Sequence, residues 1–461
     1  MERRNSKRKI AQRGRVRRMA GLAVRVGASY GRLALARALG LSGEEAASLS
    51  HAENAARILE TAIALRGPFM KLIQLLGMQG DMLPDEYLDA LSTLHDKAPP
   101  LPWQEIRPVF AVEFGQEPEK IFRSIDPEAI AAASLGQVYK GTLADGTPVA
   151  IKVQYPGVRE AVARDLRVFS RILKAQKRIG ADLFGIQGLD YNDMFADLET
   201  RLHEELDYRR EATNIEIFRQ IYRDWNWVAV PHVYREFSTD RVLTMDLLSG
   251  GPLGEILRSN LAYEDRERLR FRLAEMLDHE FYGVGIIHAD PHPGNKLIRS
   301  NGQIQLLDFG CIKVLPRQVR DVLRDCVRTL LAGGDQGMLV ALRDLGFYRD
   351  GLDPTPALSF WRFANRPLLV DGPYDGSDLD YRAELFQQLG DLSRHGYVHF
   401  APHTLFMLRV FLGVVAVFRM LGATTSMNYR QRTIDFFANR LAEGDRIRNE
   451  LERQGLIRAE E

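Results

Sequence analysis

Three oxygen-bearing side chains stand at fixed spacings in the stretch from His288 to Gly310. Asp290 and Asn295 follow His288 in the pattern H-x-D-x-x-x-x-N, and Asp308 opens the triplet D-F-G. Loops with these two spacings supply a catalytic base and the magnesium ligands in phosphoryl transfer. An ionised Asp accepts a proton from an attacking hydroxyl or water, and carboxylate and amide oxygens suit Mg²⁺. The stretch therefore predicts a site for phosphoryl-transfer chemistry.

The segment between the two signatures has the pattern of a β-hairpin. Asn301-Gly302 is the strongest short signal for a two-residue type I′ turn, and apolar residues flank it on both sides. The register that follows from this turn places Asn295 directly opposite Asp308, with about 5 Å between their Cβ atoms. At that separation the two side chains can share one hard cation, and a slip of one residue would break the arrangement.

Two alternatives apply to the same residues. Asp and Asn beside Pro or Gly are common in ordinary turns, so each of these residues taken alone also fits a structural loop. His288, Asp290 and His292 resemble a metal-ligand set, but Pro291 and Pro293 exclude the helix that would bring both His to one face. We favour the phosphoryl-transfer interpretation because the two signatures and the hairpin pattern agree.

An alanine-rich loop, residues 131–137, precedes a second predicted hairpin. Its first strand returns through Asp145-Gly146 into Val-Ala-Ile-Lys, which ends at Lys152. Alternation places Lys152 on the face opposite Ile151, and a two-residue turn sets it beside Tyr139. A loop over phosphates followed by a strand whose Lys reaches them is typical of nucleotide sites, although a lone strand Lys more often faces solvent.

Periodic apolar residues predict a long helix from Asp193 to about Asp224. Glu211 shares one face of this helix with Asp207, and Glu211 is the expected ion-pair partner of Lys152. Glu205 and Asp207 are two residues apart, so they point to nearly opposite sides of a regular helix. If both of them serve the site, the helix must start or be distorted between them.

The chain ahead of residue 116 is predicted to be mainly helical. Spacings of three and four between apolar residues predict helices from Gly43 to Ala98. Lys71 and Gln74 are three residues apart and share a face, which by itself indicates only a solvated edge. Val242 to Met245 predicts a strand, and Ser249-Gly250-Gly251-Pro252 predicts a hinge. The sequence thus divides into a tail at 1–42, a helical extension at 43–115, a first lobe at 116–248 and a mainly helical second lobe at 249–461.

Composition indicates an ordinary folded protein with an uneven charge distribution. The 461 residues are 45% hydrophobic and 27% charged, and 62 basic residues nearly balance 61 acidic ones. The first forty residues, however, hold twelve Lys or Arg against the single acid Glu2. This head fits a basic amphipathic helix on anionic lipid, an organellar transit peptide or a solvated tail. We expect no nucleic-acid partner, because nothing supplies a base-reading module.

The cysteine count and the hydrophobic stretches bear on location. Cys311 and Cys326 are too few for a disulfide framework, which fits a reducing compartment. The most apolar late stretch, Thr404 to Leu421, is interrupted by Arg409 and Arg419, so it predicts a buried core helix. No apolar run near the N terminus has the form of a secretory signal. We expect a cytoplasmic protein, peripheral to a membrane if the head binds lipid, and leave an organellar location open.

Taken together, these residues resemble the UbiB/AarF family of atypical kinases, known as the ADCK group in eukaryotes. The resemblance extends from about Gly67 to Val314 and rests on AAASLGQVY, ELDYRREATN and HADPHPGN. It implies an α+β, two-lobed protein-kinase-like fold with an N-terminal helical extension. It also implies ATP and Mg²⁺ as cofactors, and an atypical kinase or ATPase that supports isoprenoid-quinone (ubiquinone) biosynthesis or lipid homeostasis at a membrane surface.

The resemblance assigns roles to individual positions of this sequence. Lys152 would contact the nucleotide phosphates and pair with Glu211, and Asp290 would be the catalytic Asp. Asn295 and Asp308 would be the Mg²⁺ ligands. The nucleotide-contacting set, which includes the family's E-x-D element, comprises Ala131, Ala132, Ala133, Ser134, Leu135, Gly136, Gln137, Lys152, Glu205 and Asp207.

The family's K-x-G-Q motif is present with one substitution. Lys71 and Gln74 match its ends, and the resemblance implies that its helix folds over the site and blocks protein substrates. Ile73 stands where the family has Gly. The substitution weakens the expectation of a close backbone approach at this position, and with it the expectation that this helix occludes the cleft.

The alanine-rich loop has a physical consequence of its own. Gly admits positive φ and lets backbone N–H groups close on phosphate, whereas Ala restricts both. We therefore expect slow ATP hydrolysis, or a small or lipid-like acceptor, rather than protein phosphorylation, and replacing Ala132 with Gly tests this. The expected partners are a nucleotide, a membrane surface and proteins of quinone biosynthesis. The alternative function is a non-catalytic, nucleotide-gated pseudokinase module that binds lipid or protein.

Overall fold

The structure, a computed structural model of the chain, divides into two compact units. The first unit comprises Met1–Arg209 and Tyr234–Met245, and the second comprises Arg210–Val233 and Asp246–Glu461. The residues that the structure describes are 14, 17–29, 31–33, 36, 44–65, 69–70, 73, 100–132, 135–175, 199–200, 202–259, 261–290, 292–334, 336–345, 347–377, 381–395, 410, 413–422 and 425–458.

Strands and helices are numbered in chain order within these residues. The strands are β1 (Ser124–Ala132), β2 (Gly136–Thr142), β3 (Pro148–Gln154), β4 (Val228–Ala229), β5 (Val242–Asp246), β6 (Gly251–Pro252), β7 (Ile286–His288), β8 (Lys296–Ile298), β9 (Ile304–Leu306) and β10 (Ile312–Val314). The helices are α1 (Glu44–Leu65), α2 (Trp103–Ile106), α3 (Pro108–Phe114), α4 (Pro118–Ile121), α5 (Val158–Ala175), α6 (Tyr208–Ile221), α7 (Leu253–Arg258), α8 (Tyr263–Asp278), α9 (Arg317–Ala332), α10 (Gln336–Asp344), α11 (Thr355–Ala364), α12 (Arg366–Leu369), α13 (Tyr381–Arg394), α14 (Tyr429–Asn439) and α15 (Leu441–Arg453). A π-helix spans His279–Val284, short 3₁₀ helices span Arg235–Phe237 and Pro293–Asn295, and residues 17–29, 31–33 and 413–420 are also helical.

The first unit is built on a sheet with the strand order β1-β2-β3-β5. Tyr139 on β2 pairs directly with Ile151 on β3, and both side chains are fully buried. They pack with Ile106 of α2 and Phe110 of α3 in one apolar cluster. Lys152 lies on the opposite face from Ile151 and is half-buried, as the alternation predicted.

A second apolar cluster of the first unit joins the N-terminal helix, residues 17–29 and 31–33, to α1 and α5. The buried apolar residues of the N-terminal helix, at spacings of three, four and seven, are Met19, Leu22, Val26 and Leu33. Residues 17–29 and 31–33 thus form an amphipathic helix, one of the three alternatives left open by the sequence, but its apolar stripe packs inside the first unit. The arginine side of the same helix is exposed, at Arg17, Arg18, Arg25 and Arg32.

The hairpin between β2 and β3 closes with a three-residue loop, residues 144–146. Gly146 N–H donates to Leu143 O (3.0 Å), and Leu143 N–H donates to Thr147 O (2.9 Å). Asp145 Oδ1 accepts a hydrogen bond from Thr147 N–H (2.9 Å). Gly146 has a φ of 93°, a backbone conformation that favours Gly. This is the three-residue hairpin with Gly in the left-handed position.

The hairpin between β8 and β9 closes in the same way, with residues 300–302. Gly302 N–H donates to Arg299 O (2.8 Å), and Arg299 N–H donates to Gln303 O (3.0 Å). Asn301 Oδ1 accepts from Gln303 N–H (3.0 Å), and Gly302 has a φ of 77°. The two loops therefore share one pattern of closure.

The extra loop residue moves both registers by one position, so both predicted registers are wrong. Lys152 pairs with Val138 rather than Tyr139, and Asn295 does not face Asp308 across the second ladder. The common cause is the Asp or Asn side chain, which bonds the backbone two residues on and favours the longer turn.

The second unit contains two small sheets and most of the helices. One sheet has the strand order β4-β9-β8-β6, and β7 pairs with β10 in a two-stranded antiparallel ribbon. The apolar core of this unit includes residues of β7, α9, α10, α11 and α13, among them Ile287, Leu323, Leu342, Ala357 and Leu392. The core therefore supports the strand that leads into the H-x-D loop.

Other predicted elements had mixed outcomes. The strand at Val242 to Met245 is confirmed by β5, whereas β1 was not predicted at all. The predicted helix at 193–224 is interrupted: residues 202–204 are helical, a turn follows, and α6 begins at Tyr208. Residues 404–409 and 411–412 of the apolar late stretch lie outside the described residues. Residues 413–420 are helical as predicted, but only Val417 among them is buried. Within the described part of the chain, no helix has the length and apolar character needed to cross a bilayer.

Candidate functional site

The loop that carries Asp290 leaves the end of β7. Ala289 is fully buried, and its N–H donates to Cys311 O (3.0 Å). Asp290 Oδ1 accepts from His292 N–H (3.2 Å), and the short helix Pro293–Asn295 leads on into β8. The backbone on both sides of Asp290 is therefore fixed by hydrogen bonds.

His288 connects this loop to the D-F-G triplet. Its Nε2 lies 2.5 Å from Asp308 O and must donate, because a carbonyl oxygen only accepts. The imidazole is buried edge-on against the rings of Phe218 (5.6 Å) and Phe309 (5.5 Å). The sequence identified His288 only as part of a spacing, and this link between the loops was missed.

The D-F-G triplet is held from within the second unit. Asp308 Oδ1 accepts from Gly310 N–H (2.9 Å), which closes a tight turn. Phe309 is fully buried. Asn214 of α6, itself buried, donates from Nδ2 to Phe309 O (2.8 Å). A helix distant in sequence therefore fixes the backbone of the triplet.

Asn295 and Asp308 do not occupy the positions that the predicted ladder gave them. β8 and β9 pair Lys296 with Leu306, and Leu307 N–H donates to Asn295 O (3.1 Å). Asn295 therefore lies opposite Leu307, and Asp308 lies one residue further along. Their roles as magnesium ligands stay a prediction that rests on their oxygen donors and not on that register.

The described residues contain no group of three or more His, Cys, Asp or Glu side chains that could hold a metal ion. A cation at this site would therefore take further ligands, such as the Asn295 amide oxygen and the phosphates of a nucleotide.

Lys152 lies in the first unit beside the first residue of α6. Its Nζ is 5.2 Å from the centroid of the Tyr208 ring, and Tyr208 is buried. A cation over an aromatic face is held there by the ring's quadrupole. Glu211 belongs to the second unit and is 2% exposed. The predicted ion pair of Lys152 with Glu211 stays a prediction.

The alanine-rich loop is shorter than the sequence suggested. Ala131 and Ala132 are the last residues of β1, and Gly136 is the first of β2. Ala132 pairs directly with Gln137. Four predicted site residues lie outside the described residues: Ala133, Ser134, Lys71 and Gln74.

Two side chains at the exit of this loop point into the protein. Gln137 is fully buried, where its Oε1 accepts from Leu101 N–H (2.5 Å) and its Nε2 donates to Leu101 O (3.2 Å) and Tyr139 OH (2.7 Å). Leu135 is buried in the cluster of the N-terminal helix. A nucleotide at this loop would therefore meet the backbone of these residues, not their side chains.

Gly136 is required for close packing inside the first unit. A Cβ at this position would lie 2.5 Å from Val153 O and 2.9 Å from the Tyr208 hydroxyl. Such contacts are too short for any side chain. The structure thus supplies a packing reason for this Gly in addition to its predicted nucleotide role.

The chain leaves the helical conformation at Glu205 and re-enters it at Tyr208. Leu206 N–H donates to His203 O (3.2 Å) and Asp207 N–H donates to Glu204 O (3.0 Å), which forms a turn. The sequence analysis predicted an interruption of the helix here if Glu205 and Asp207 both serve one site. The break is present, and the two roles remain predictions.

Glu280 is a buried carboxyl group that sequence reasoning missed. Tyr222 OH donates to its Oε1 (2.6 Å), and His288 N–H donates to its Oε2 (2.9 Å). Burial raises the pKa of Glu280, and burial together with the neighbouring Glu280 raises the pKa of Tyr222 well above its ordinary value. The only sequence signal was an acid within an apolar stretch eight residues before His288.

A cavity of about 50 Å³ in the second unit adjoins this carboxyl group. Its polar lining is Glu280, His288 and Lys296, and most of the rest is apolar, from α8 and from Val410, Val414, Val417 and Phe418. Burial lowers the pKa of Lys296, while the charges of Glu280 and Asp290 act in the opposite direction. The charges of Glu280 and Lys296, close to the H-x-D loop, therefore interact with one another.

Comparison with known proteins places these features in a family context. The family model described as the ABC1 atypical kinase-like domain matches residues 93–341. AarF domain-containing protein kinase 1 of Mus musculus is 33% identical over 275 residues, which cover 59% of this chain and 51% of that protein. Protein ACTIVITY OF BC1 COMPLEX KINASE 8, chloroplastic, of Arabidopsis thaliana is 33% identical over 302 residues, covering 63% of this chain and 39% of that protein. The chain spans about half the length of the first of these relatives and less of the second.

A solved structure covers more of the chain. It is the complex of Rv3197 with erythromycin from Mycobacterium tuberculosis, which is 26% identical with a TM-score of 0.59. The match covers 85% of this chain and 97% of that one. The similarity therefore extends over elements on both sides of the segment that the family model matches.

Proposed function

Because the chain belongs to the ABC1 atypical kinase-like family, we propose that it binds MgATP and acts as an ATPase or phosphotransferase. Its fold is α+β and kinase-like, with two units and helices ahead of the first sheet. The acceptor, in this proposal, is water or a small or lipid-like molecule.

One observation carries this proposal: the H-x-D loop and the D-F-G triplet are joined by the His288 Nε2 to Asp308 O hydrogen bond. The backbone that bears Asp290 is thereby fixed relative to the backbone that bears Asp308. Phosphoryl transfer depends mainly on such positioning, because the protein itself has little covalent chemistry to do.

The donor set of the second unit fits a magnesium–nucleotide complex. Asp308 supplies a carboxylate and Asn295 an amide oxygen, which are hard ligands of the kind that Mg²⁺ prefers. When bound, the ion would neutralise the charge that develops on the transferred phosphate. These two residues are the proposed ligands.

The remaining proposed roles belong to the chain's own side chains. Asp290, an acceptor when ionised, would orient the attacking hydroxyl or water and take its proton. Lys152 would contact the phosphates as a point charge, paired with Glu211. The backbone of residues 131–137 would cover the phosphates, with Glu205 and Asp207 nearby. Lys71 and Gln74 would regulate access.

We also propose a biological setting. The family resemblance favours a role in isoprenoid-quinone biosynthesis or lipid homeostasis at a membrane surface. The proposed location is cytoplasmic or organellar. The organellar alternative is supported by the Arabidopsis relative, which is described as chloroplastic. The exposed arginines of the N-terminal helix support contact with an anionic surface.

The proposed activity is tested by phosphate release from MgATP. The purified chain should release phosphate slowly, and Asp290→Asn should lower the rate by about 100-fold or more while ATP binding persists. Liposomes are included in a parallel series. Equal, negligible rates for both proteins with intact ATP binding would contradict the enzyme proposal and favour a nucleotide-gated binding module.

A further inference from the structure

The π-helix His279–Val284 ends directly before β7, and arginines cap its carboxyl end. A helix leaves its last four carbonyl groups without partners inside the helix. Arg324 donates to Tyr282 O from Nε (2.6 Å) and to Gly283 O from Nη2 (2.8 Å). Arg320 adds a longer bond from Nη1 to Gly283 O (3.4 Å). Both arginines come from α9 and are buried.

Arg448 of α15 completes this cap and also reaches a second strand. Its side chain is fully buried. Nη1 donates to Val284 O (3.1 Å) and Gly285 O (3.5 Å), and Nη2 donates to Leu315 O (2.8 Å). Glu452 on the same helix accepts from Nε (3.1 Å). One guanidinium group therefore bonds the residues just before β7 and the residue just after β10.

These two strands carry the loops of the candidate site at their other ends. The ribbon has three residue pairs, and the last of them is His288 with Ile312. Asp290 follows His288 by two residues, and Gly310 precedes Ile312 by two. Three residue pairs span only about 7 Å. A displacement at the end held by Arg448 is therefore transmitted to both loops.

The packing of α15 on the π-helix is close. A Cβ at Gly444 would lie 2.4 Å from the carbonyl carbon of Gly283, so the two backbones touch. Asp445 forms ion pairs with Arg320 (2.9 Å) and Arg324 (3.0 Å). Asp445 of α15 thus partly balances the positive charges of Arg320 and Arg324. These positive charges also interact favourably with the negative end of the helix dipole.

We propose that Arg448 is a positioning residue of the phosphoryl-transfer site. On this proposal α15 helps to position the loops of the site, although it lies outside residues 93–341, which the family model matches. The catalytic consequence rests on the function proposed above. Arg448 touches no reacting atom and acts through the β7–β10 ribbon.

A purely structural role makes a different prediction. A buried Arg is costly unless it is well bonded, and a hydrophobic residue of similar volume is often as stable or more stable in its place. A core-filling role would therefore tolerate Met at position 448. A positioning role would not, because Met offers no donors to the three carbonyls. Lys keeps the charge but lacks the planar fork that reaches both strands.

The test compares Arg448→Met and Arg448→Lys with Arg453→Met. Arg453 lies on the same helix, its side chain is 71% exposed, and it pairs with Glu450. Hydrogen exchange should speed up in peptides covering 286–290 and 308–315 in both Arg448 variants, and should not change in the control. We expect kcat for ATP to fall about 10- to 100-fold, with KM changed less than about threefold.

Two results would overturn the proposal. One is exchange at 286–290 and 308–315 that is the same in the Arg448 variants and the control. The other is faster exchange spread evenly over the second unit, including α11 and α13, which would mean general destabilisation. Failure of the proposed function would appear separately, as absence of phosphate release by the wild type, because exchange needs no turnover. If Arg448→Met does not fold, Arg448→Lys decides by the same criteria.

Discussion

His288 is held from two directions inside the second unit. Its backbone N–H donates to Glu280 Oε2, and its ring Nε2 donates to Asp308 O. Neither hydrogen bond involves the side-chain oxygens of Asp290, Asn295 or Asp308, which carry the proposed chemistry. The histidine of the H-x-D spacing therefore acts as a structural link between the H-x-D loop and the D-F-G triplet.

Glu280 gives a pH dependence of stability with a definite sign. Burial raises its pKa in the folded protein above the ordinary 4.5. The folded protein then holds this proton more tightly than the unfolded chain does, so its contribution is full below pH 4.5 and is lost as pH rises through the folded pKa.

The variant Glu280→Gln removes this titration. Urea unfolding at a series of pH values from 4.5 upward should show a shallower fall of the unfolding free energy in Glu280→Gln than in the wild type. Glu53→Gln, at a side chain that is 63% exposed, is the control and should follow the wild type. Parallel curves for Glu280→Gln and the wild type would contradict the assignment.

At the scale of elements, the two hairpins separate what the sequence determines from what it does not. Asp145-Gly146 and Asn301-Gly302 correctly predicted where each chain reversal lies. They did not determine loop length, because the Asx side chain can bond the backbone two residues on and add a loop residue. A one-residue change in length was enough to move Asn295 away from Asp308.

These loops yield a prediction about two glycines. Gly146→Ala should cost about 1–2 kcal/mol, because φ there is 93° and a Cβ would meet only Arg123 Nη1, at 3.9 Å. Gly302→Ala should cost more, because φ there is 77° and its Cβ would lie 2.9 Å from Arg272 Nη1, which would have to move away from its hydrogen bond to Gly302 O. Urea unfolding measures both. Gly21→Ala, at a helical residue, is the control and should be neutral or stabilising by up to about 1 kcal/mol. A smaller loss at Gly302 than at Gly146 would refute this reasoning.

Other elements were missed for identifiable reasons. β1 contains Asp126-Pro127 and has no fully buried residue, so it lacks the alternation that signals a strand. The break at Glu205 has no Pro or Gly to announce it. Glu280 and Arg448 depend on partners far away in sequence, and no local pattern reports such partners. The H-x-D and D-F-G motifs, by contrast, are patterns of nearby residues and can be recognised from the sequence alone.

At the scale of the whole molecule, the exposed side of the N-terminal helix is mainly basic, with Val24 as an exposed apolar side chain among the arginines. Its apolar stripe is buried in the protein, and the exposed side carries Arg17, Arg18, Arg25 and Arg32. Attraction of such a surface to anionic lipid is worth about 1 kcal/mol per basic residue and is screened by salt. Binding without insertion is therefore expected.

Vesicle sedimentation tests this expectation. The chain should bind vesicles that contain phosphatidylserine, should bind pure phosphatidylcholine weakly, and should dissociate as salt is raised. Joint replacement of Arg17, Arg25 and Arg32 by Gln should weaken binding by about 3 kcal/mol. The matched control replaces three exposed arginines of the second unit, Arg328, Arg343 and Arg394, by Gln. Equal loss in both triple variants would exclude a specific role for the helix.

We propose that oxygen donors of the second unit hold a magnesium–nucleotide complex. Calorimetric titration of ATP with and without Mg²⁺, into the wild type and Asp308→Asn, tests it most directly. We expect binding by the wild type that tightens strongly with Mg²⁺, and loss of that Mg²⁺ dependence in Asp308→Asn. Absence of heat for the wild type with MgATP, or the same Mg²⁺ dependence in both proteins, would contradict the account.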